Sequence, residues 1–317
     1  MSSKGVIPFQ YHQGESAPVG IGQFLWTAEG AVFGGRSHGQ VNINCQLKNM
    51  SRTTLWNCLA MGTFAELSEN EDKRVFYQMW NASFGNNCTF GPKAYDWGDS
   101  DTWDYSVCNP SGDYEVYVEI VDSFCTDLAD PKNALIKESS DAVKLKIGNE
   151  EIWVSKTALS LHSEFFAALF KNNFKDGKDG FYDLEDLGDL KLEEFLQFLG
   201  IIHCLDTRIT EASIEGLLHL GDLFQAKIVL QRCDEFLRST SCEMSATRTI
   251  LLADRFKLKT ALMEAIEDAD KEDVETISSA SGFSSVASFL MFQKLRLAES
   301  DVEEDDKEEY KPQYDDE

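Results

Sequence analysis

Apolar and polar residues alternate with a period of two through much of the first third of the chain. In the clearest stretch, 40–47, the apolar positions are Val41, Ile43, Cys45 and Leu47. The same alternation recurs at 55–61, 74–80 and 114–121. Alternation places apolar side chains on one face of a strand. Because turn-forming residues separate these strands and no helical stretch lies between them, the pattern predicts an antiparallel β-sandwich at 20–125.

The alternation stops at residues 126–140, where the sequence reads TDLADPKNALIKESS. Proline restricts the residue before it and lacks a backbone donor, so Asp130-Pro131 disfavours a continuing helix. Two polar serines end the stretch. We therefore predict a linker at 126–140, and a flexible segment at 1–19 ahead of the sandwich.

The next segment, 141–238, has a hairpin pattern followed by helical periodicity. Apolar residues alternate with lysines at 143–147, Gly148 and Asn149 offer a tight turn, and 152–154 form the returning strand. Apolar residues then recur at helical spacing. Helices are predicted at 192–203, 210–225 and 226–237, and, within an extension at 239–298, near 244–269 and 284–297.

The last segment, 299–317, contains eleven acidic residues against Lys307 and Lys311 and has few apolar anchors. Burial cannot offset the entropy lost on ordering such a segment. We therefore predict an acidic disordered tail.

One stretch of the mixed segment, 154–170, reads VSKTALSLHSEFFAALF and resembles the H-K-x-x-L-x-x-x-S-x-x-F-x-x-x-F signature of the BTB/POZ family. The matching positions are Lys156, Leu159, Ser163, Phe166 and Phe170. Downstream, 192–199 and 214–237 are similar to the family's later helices. The resemblance implies a BTB/POZ domain at 141–238 that binds other proteins and self-associates.

Three positions depart from the family pattern. The His and Arg of the family signature are Ser155 and His162 here, so the buried Asp–Arg pair of some dimeric members cannot form as written. A Tyr that commonly follows the Phe-Leu of the third helix is Gly200, which removes an aromatic that helps to contact the cullin. These departures keep open an alternative, an oligomeric BTB scaffold that recruits no cullin.

The loop expected after Phe170 contains Phe174, Lys175 and Asp176, which resemble the hydrophobic-x-acidic motif by which such adaptors engage cullin-3. An exposed aromatic offers a hot spot, and a nearby carboxylate offers an orienting charge. The resemblance implies that these three residues contact the N-terminal domain of cullin-3, with Phe174 as the anchor. Phe-x-Asp tripeptides are also common in loops that bind nothing.

In the first domain, Trp56, Phe90-Gly91 and Trp97 resemble a divergent MATH domain, the sandwich often fused ahead of BTB in substrate adaptors. The MATH family usually has Trp-Gly at the Phe-Gly position. The resemblance implies that Phe90, Tyr95 and Trp97 line a shallow groove for an unknown protein substrate, with burial in the core as the alternative. The expected fold class is α+β and multidomain: a MATH-like antiparallel β-sandwich, a mixed α/β BTB/POZ domain and a C-terminal helical extension.

Composition narrows the choice of partners. Lys and Arg number 29 against 55 Asp and Glu, a formal net charge of -26. Because so acidic a chain repels phosphate groups, we expect neither nucleic acid nor an anionic membrane as a partner. No apolar run approaches a membrane span and the first residues lack a signal-peptide core, so we expect the cytoplasm or nucleus. The eight cysteines contain no C-x-x-C pair, so we expect no metal site and no cofactor.

Residues 35–39 read GRSHG, which has the G-x-S-x-G form of a hydrolase with Ser37 as nucleophile. That motif requires a strand before the serine and a helix after it, whereas an alternating strand follows here. We therefore expect no enzyme activity. The sequence as a whole predicts a substrate-recognition adaptor of a cullin-3 RING ubiquitin ligase, whose BTB domain binds the cullin and a second copy and whose sandwich binds the substrate.

Overall fold

A computed structural model describes most of the chain. The described residues are 3–10, 14–32, 39–67, 74–86, 113–171, 181–184, 187–188, 190–239, 242–278 and 282–308. Within these ranges, 30–32, 39–40, 74–78 and 298–308 are described by their backbone alone. The chain divides into two compact units, Met1–Arg208 and Ile209–Glu317.

The first unit begins with an antiparallel β-sandwich, as the sequence predicts. Its first strand, however, lies within 1–19, which was predicted to be flexible, because Lys4–Gln10 pairs with residues 113–119. Its described strands are β1 (Lys4–Gln10), β2 (Val19–Ile21), β3 (Phe24–Val32), β4 (Gly39–Leu47), β5 (Thr54–Leu67), β6 (Arg74–Gly85) and β7 (Asp113–Asp127). One sheet has the order β1-β7-β5-β6 and the other the order β2-β3-β4. The alternation that predicted β4 is confirmed, because Val41, Ile43, Cys45 and Leu47 are all buried.

Aromatic side chains from both sheets fill the sandwich core. The ring of Phe24 in β3 lies 5.6 Å from that of Trp56 in β5. Trp26 in β3 makes an edge-to-face contact with Phe84 in β6 at 5.0 Å. Aromatic pairs of this kind contribute about 0.5–1.5 kcal/mol each beyond the area they bury. These contacts hold the two sheets face to face.

The rest of the first unit mixes strands and helices. Its elements are β8 (Ala142–Ile147), β9 (Glu150–Ser155), α1 (Lys156–His162), α2 (Glu164–Lys171), β10 (Phe181–Asp183) and α3 (Leu192–Ile202). The predicted hairpin of β8 and β9 is present, and Gly148 at its turn has a φ of 57°, a conformation that glycine adopts without strain. Strand β10 returns parallel to β8 and gives the sheet order β10-β8-β9.

The second unit is helical. It contains α4 (Ile214–Leu223), α5 (Lys227–Leu237), α6 (Ala246–Arg255), α7 (Lys259–Asp268), α8 (Lys271–Ser278) and α9 (Ser285–Glu308). The predicted helix at 244–269 is two helices, because Lys257 adopts a φ of 58° that ends α6. Helix α9 continues ten residues beyond residue 298, into the segment predicted as a disordered tail. Glu is a good helix former, so the lack of apolar anchors does not end the helix there.

The segment predicted as a linker, 126–140, makes defined contacts inside the first unit. Strand β7 continues to Asp127, and the side chain of Leu128 is fully buried. The backbone N–H of Trp153 in β9 donates to the carbonyl of Leu128 at 2.7 Å. The amide of Asn133 in turn donates to the carbonyl of Trp153 at 2.9 Å. These bonds tie the end of the sandwich to the β8–β9 hairpin.

A second junction joins the sandwich to the end of α3. On the sandwich side, Asn86 ties the end of β6 to β5. Its side chain accepts from the backbone N–H of Trp56 at 3.0 Å and donates to the carbonyl of Thr54 at 2.9 Å. The hydroxyl of Ser83 in β6 donates to the carboxylate of Asp206, in the loop after α3. The sandwich and the mixed segment therefore pack as parts of one unit.

Candidate functional site

The residues that the sequence assigns to partner contacts lie outside the described residues. Phe174, Lys175 and Asp176 fall within 172–180. The same holds for the candidate substrate-groove residues, Phe90, Tyr95 and Trp97. Both assignments remain predictions, and the structure shows the framework on either side of them.

The framework around 172–180 is an aromatic cluster. Phe170, the last aromatic of α2, lies edge-to-face with Tyr182 of β10 at 5.3 Å. Phe170 also stacks on Phe166 at 5.7 Å, and Phe166 is fully buried against Phe195 of α3 at 6.5 Å. Phe170 and Tyr182, which flank residues 172–180, are therefore in contact with each other. This contact fixes the two ends of the segment between them.

Asp141, at the start of the hairpin, is held by residues at the start of α1. Ser155 donates to the carboxylate of Asp141 at 2.5 Å and accepts from the backbone N–H of Ala158 as the N-cap of α1. The other carboxylate oxygen of Asp141 accepts from the N–H of Thr157 at 2.8 Å and from its hydroxyl at 2.7 Å. Burial opposes the charged form, but these hydrogen bonds outweigh it and lower the pKa of Asp141.

A histidine at the end of α3 lies close to this network. Nε2 of His203 is buried and has no hydrogen-bond partner within the described residues. Burial, followed by the nearby imidazole of His162, lowers the pKa of His203 to about 4, against the opposing effect of the Asp141 carboxylate. His203 is therefore neutral at physiological pH.

The pKa of His203 gives the stability of the first unit a specific pH dependence. An unfolded histidine binds a proton near pH 6.5, whereas the folded chain binds it only near pH 4. Stability should therefore fall as the pH drops between these values, by about 2.5 kcal/mol at pH 4.5 from this group. Urea unfolding at pH 7, 5.5 and 4.5 should show this loss in the wild type and a shallower loss in His203→Gln. Equal pH slopes in the two proteins would contradict the assignment.

The outer face of the larger sandwich sheet carries an exposed row of side chains. Four residues lie side by side across the sheet, one from each strand. They are Val6 of β1, Tyr117 of β7, Thr63 of β5 and Met79 of β6. Met79 is 84% exposed and Met61, two residues from Thr63, is 48% exposed. We call this surface, defined by Val6, Met61, Thr63, Met79 and Tyr117, the sheet face. It offers apolar and polar groups together, a composition typical of transient interfaces.

The second unit contains an open groove of about 440 Å³ beside α6. Its lining residues are Glu215, Arg248, Leu251, Leu252, Asp254, Arg255, Gly282 and Phe283. Arg248 pairs with Glu215 at 3.4 Å, and Asp254 accepts from the N–H of Ser284 at 2.8 Å. Leu251 is 49% exposed in this groove. The groove therefore combines an apolar floor with charged walls.

The structure gives the hydrolase-like string GRSHG the wrong surroundings for a nucleophile. Ser37 itself lies outside the described residues. The antiparallel strands β3 and β4 flank it, and β4 begins at Gly39, where a nucleophile elbow requires a helix. Within the described ranges, no group of three or more His, Cys, Asp or Glu side chains could hold a metal ion. None of the helices described there has the length and apolarity to cross a membrane.

Comparison with known proteins identifies the architecture. The family model of the BTB/POZ domain matches residues 135–241. BTB and MATH domain-containing protein 38 of Caenorhabditis elegans is 27% identical over 289 residues, which cover 88% of this chain and 68% of the relative. BTB and MATH domain-containing protein 36 of the same organism is 24% identical over 239 residues, covering 70% and 72%. Over most of its length, this chain is therefore similar to proteins that combine a MATH domain with a BTB domain.

The BTB domain is also shared with proteins of a different architecture. Kelch-like protein 40 of Xenopus tropicalis is 28% identical over 98 residues, 31% of this chain and 16% of the relative. The BTB match at 135–241 encloses the predicted range of 141–238. A BTB domain that follows an antiparallel sandwich is an arrangement that favours a protein-interaction adaptor.

Gly200, where this BTB domain departs from the family pattern, lies in a tightly packed position. Gly200 of α3 is buried, and a Cβ built there would lie 2.4 Å from the hydroxyl of Thr207. A larger side chain fits only if the Thr207 side chain or the loop after α3 moves. Thr207 therefore occupies the space beside α3 into which a side chain at position 200 would project. Sequence reasoning did not identify Thr207, because nothing local to its position indicates a contact with the preceding helix.

Proposed function

We propose that this chain is a substrate-recognition adaptor of a cullin-3 RING ubiquitin ligase. Its BTB domain binds the N-terminal domain of cullin-3 and a second copy of the chain, and its sandwich binds a protein substrate. The ligase chemistry belongs to the partners.

The observation that carries the proposal is the aromatic frame around residues 172–180. Phe170 and Tyr182 fix the two ends of this segment, and the sequence places Phe174, Lys175 and Asp176 within it. A short segment with fixed ends loses less conformational entropy on binding than a free loop does. A single aromatic followed by a carboxylate can then dominate an interface.

The helices after the BTB match give the cullin a second surface. Residues 244–266 resemble the short helical extension that widens the cullin contact in such adaptors, with capping of the preceding helices as the alternative role. The groove beside α6 lies on this extension and exposes Leu251. We propose that it receives an apolar side chain of the cullin.

Changing Leu251 to Asp should therefore weaken cullin binding about tenfold, because a carboxylate would have to be desolvated in the groove. Since Leu251 is half exposed, its replacement should leave the fold intact. Leu161→Asp, at an exposed apolar position of α1, is the matched control. Fluorescence anisotropy with labelled cullin-3 N-terminal domain measures both, and an equal effect of the two variants would remove the groove from the proposal.

On the sandwich, we propose the sheet face and the predicted groove residues Phe90, Tyr95 and Trp97 as the substrate surface. Exposed Met side chains adapt to varied apolar partners, which suits a peptide-binding surface. Alternating side chains of an extended peptide could then rest on the row from Val6 to Met79.

An affinity pull-down with mass spectrometry tests the function as a whole. Wild type should recover cullin-3 together with substrates. Phe174→Ala should lose the cullin and keep the substrates, whereas Met61→Asp/Met79→Asp should do the reverse. If wild type and Phe174→Ala recover the same cullin signal, Phe174 does not anchor the contact.

A second candidate function, an oligomeric scaffold that recruits no cullin, is favoured by Gly200 and its neighbour Thr207. By the resemblance, Gly200 stands where adaptors that bind a cullin commonly have an aromatic, and Thr207 occupies the space beside it. Light scattering distinguishes the two functions. Mixed with the cullin-3 N-terminal domain, a scaffold should self-associate and bind no cullin, whereas an adaptor should self-associate and bind the cullin.

A further inference from the structure

Helix α9 of the second unit has a strongly exposed apolar face. Val286, Phe289 and Phe292 are 58%, 59% and 60% exposed, although all three are apolar and two are aromatic. We call these three residues the α9 face. They follow one another at intervals of three residues, so they lie next to each other along the helix surface.

The α9 face points away from the core of its own unit. Ala287 and Met291, on the opposite side of the helix, are 0% and 1% exposed and face the core. At 100° per residue, the α9 face occupies a sector of about 120° that contains neither of them. The helix is thus apolar on two sides, and the second unit covers one of these sides.

Exposed aromatic residues next to each other are not explained by folding of this unit. Burying a Phe side chain stabilises a protein by about 1.5–3 kcal/mol, which an exposed Phe largely forgoes. Contiguous exposed apolar residues on a soluble domain mark a binding surface.

The charge of the same helix indicates what kind of partner fits. Beyond Leu297, α9 continues to Glu308 through a segment, 299–308, whose sequence has seven acidic residues and a single basic one, Lys307. An apolar stretch followed by dense negative charge on one helix is complementary to a segment with apolar residues followed by Lys and Arg. The α9 of a second copy is a poor fit here, because its own segment 299–308 offers seven acidic residues and a single Lys instead of a basic run.

We propose that the α9 face and the acidic segment 299–308 together bind a basic amphipathic helix of a partner protein. The partner's apolar residues cover Phe289 and Phe292, and its Lys or Arg residues lie along 299–308. This mode is the packing of an amphipathic helix on an exposed apolar surface, with the charges setting its direction. This surface is independent of cullin binding, because it includes neither residues 172–180 nor the groove beside α6.

A synthetic peptide tests the proposal on the full chain. The probe is a fluorescein-labelled helix of about 18 residues, five turns, with Leu at helical spacing and Lys elsewhere. Anisotropy should show saturable binding that weakens strongly when the ionic strength rises from about 0.05 M to 0.5 M. The double variant Phe289→Ser/Phe292→Ser should bind about thirtyfold more weakly. Glu303→Lys/Glu304→Lys should also weaken binding, through the charge alone.

Two controls separate this surface from general attraction to an acidic protein. Leu161→Ser, which changes a residue 75% exposed in the first unit, should bind the peptide as the wild type does. A peptide with Glu in place of Lys should bind at least tenfold more weakly than the Lys peptide. Circular dichroism should show the same helix content in all variants, because the changed apolar positions are exposed.

Three results would overturn the proposal. One is equal binding of the Lys peptide by wild type and by Phe289→Ser/Phe292→Ser. Another is equal binding of the Lys and Glu peptides by the wild type. The third is a light-scattering result in which the wild type is a dimer and Phe289→Ser/Phe292→Ser is a monomer. That result would assign the α9 face to a second copy.

Discussion

Replacing Leu128 by Ala is expected to destabilise the first unit by about 2–5 kcal/mol. The side chain is fully buried where β7 ends, and its carbonyl accepts the hydrogen bond from Trp153 of β9. Removing the side chain leaves a cavity at the point where the sandwich meets the β8–β9 hairpin. Urea unfolding monitored by circular dichroism should show a lower transition midpoint. Hydrogen exchange should show faster exchange of the Trp153 amide.

The Leu128 result distinguishes a packed junction from a flexible linker. Lys132→Ala, four residues further along and exposed, is the matched control and should change stability by less than about 0.5 kcal/mol. If 126–140 were a linker with no packing role, both variants would unfold like the wild type. Equal stability of the three proteins would therefore contradict the junction.

Replacing Phe174 by Ala is expected to weaken binding to the cullin-3 N-terminal domain by about 2 kcal/mol, or roughly thirtyfold. The expected effect is large because one aromatic anchors the proposed contact. Asp176→Asn should cost less, since an amide keeps the shape and loses only the charge. Surface plasmon resonance measures both affinities.

The control for Phe174 is Lys132→Ala, an exposed position outside the motif, which should bind as well as the wild type. Urea unfolding of each variant separates a lost cullin contact from a lost fold. A Phe174→Ala protein that is folded and binds cullin with wild-type affinity would exclude the residue as the anchor.

Much of the fold follows from local patterns in the sequence. Strand β4 was predictable because its four apolar residues alternate without interruption, and a half-buried strand permits no other periodicity. The hairpin of β8 and β9 was predictable because Gly148 lies between two alternating stretches. The family signature located the BTB domain, since its spacing fixes α1 and α2 at once.

Other features depend on contacts that a sequence pattern does not encode. The end of α6 was missed because Lys257 adopts a left-handed conformation that is rare for lysine. The role of Leu128 was missed because the adjacent Asp130-Pro131 is typical of a linker. The burial of Leu128 and the hydrogen bond from Trp153 show that the segment packs. The hydrogen bonds of Asp141 could not be predicted from a local pattern, because Ser155 ends β9 and Thr157 lies in the first turn of α1.

The most direct test of the adaptor proposal is a calorimetric titration of the intact chain with the N-terminal domain of cullin-3. The account predicts saturable binding with one cullin domain per chain. A chain that is folded and self-associated, yet produces no binding heat and no joint peak in size-exclusion chromatography, would contradict it.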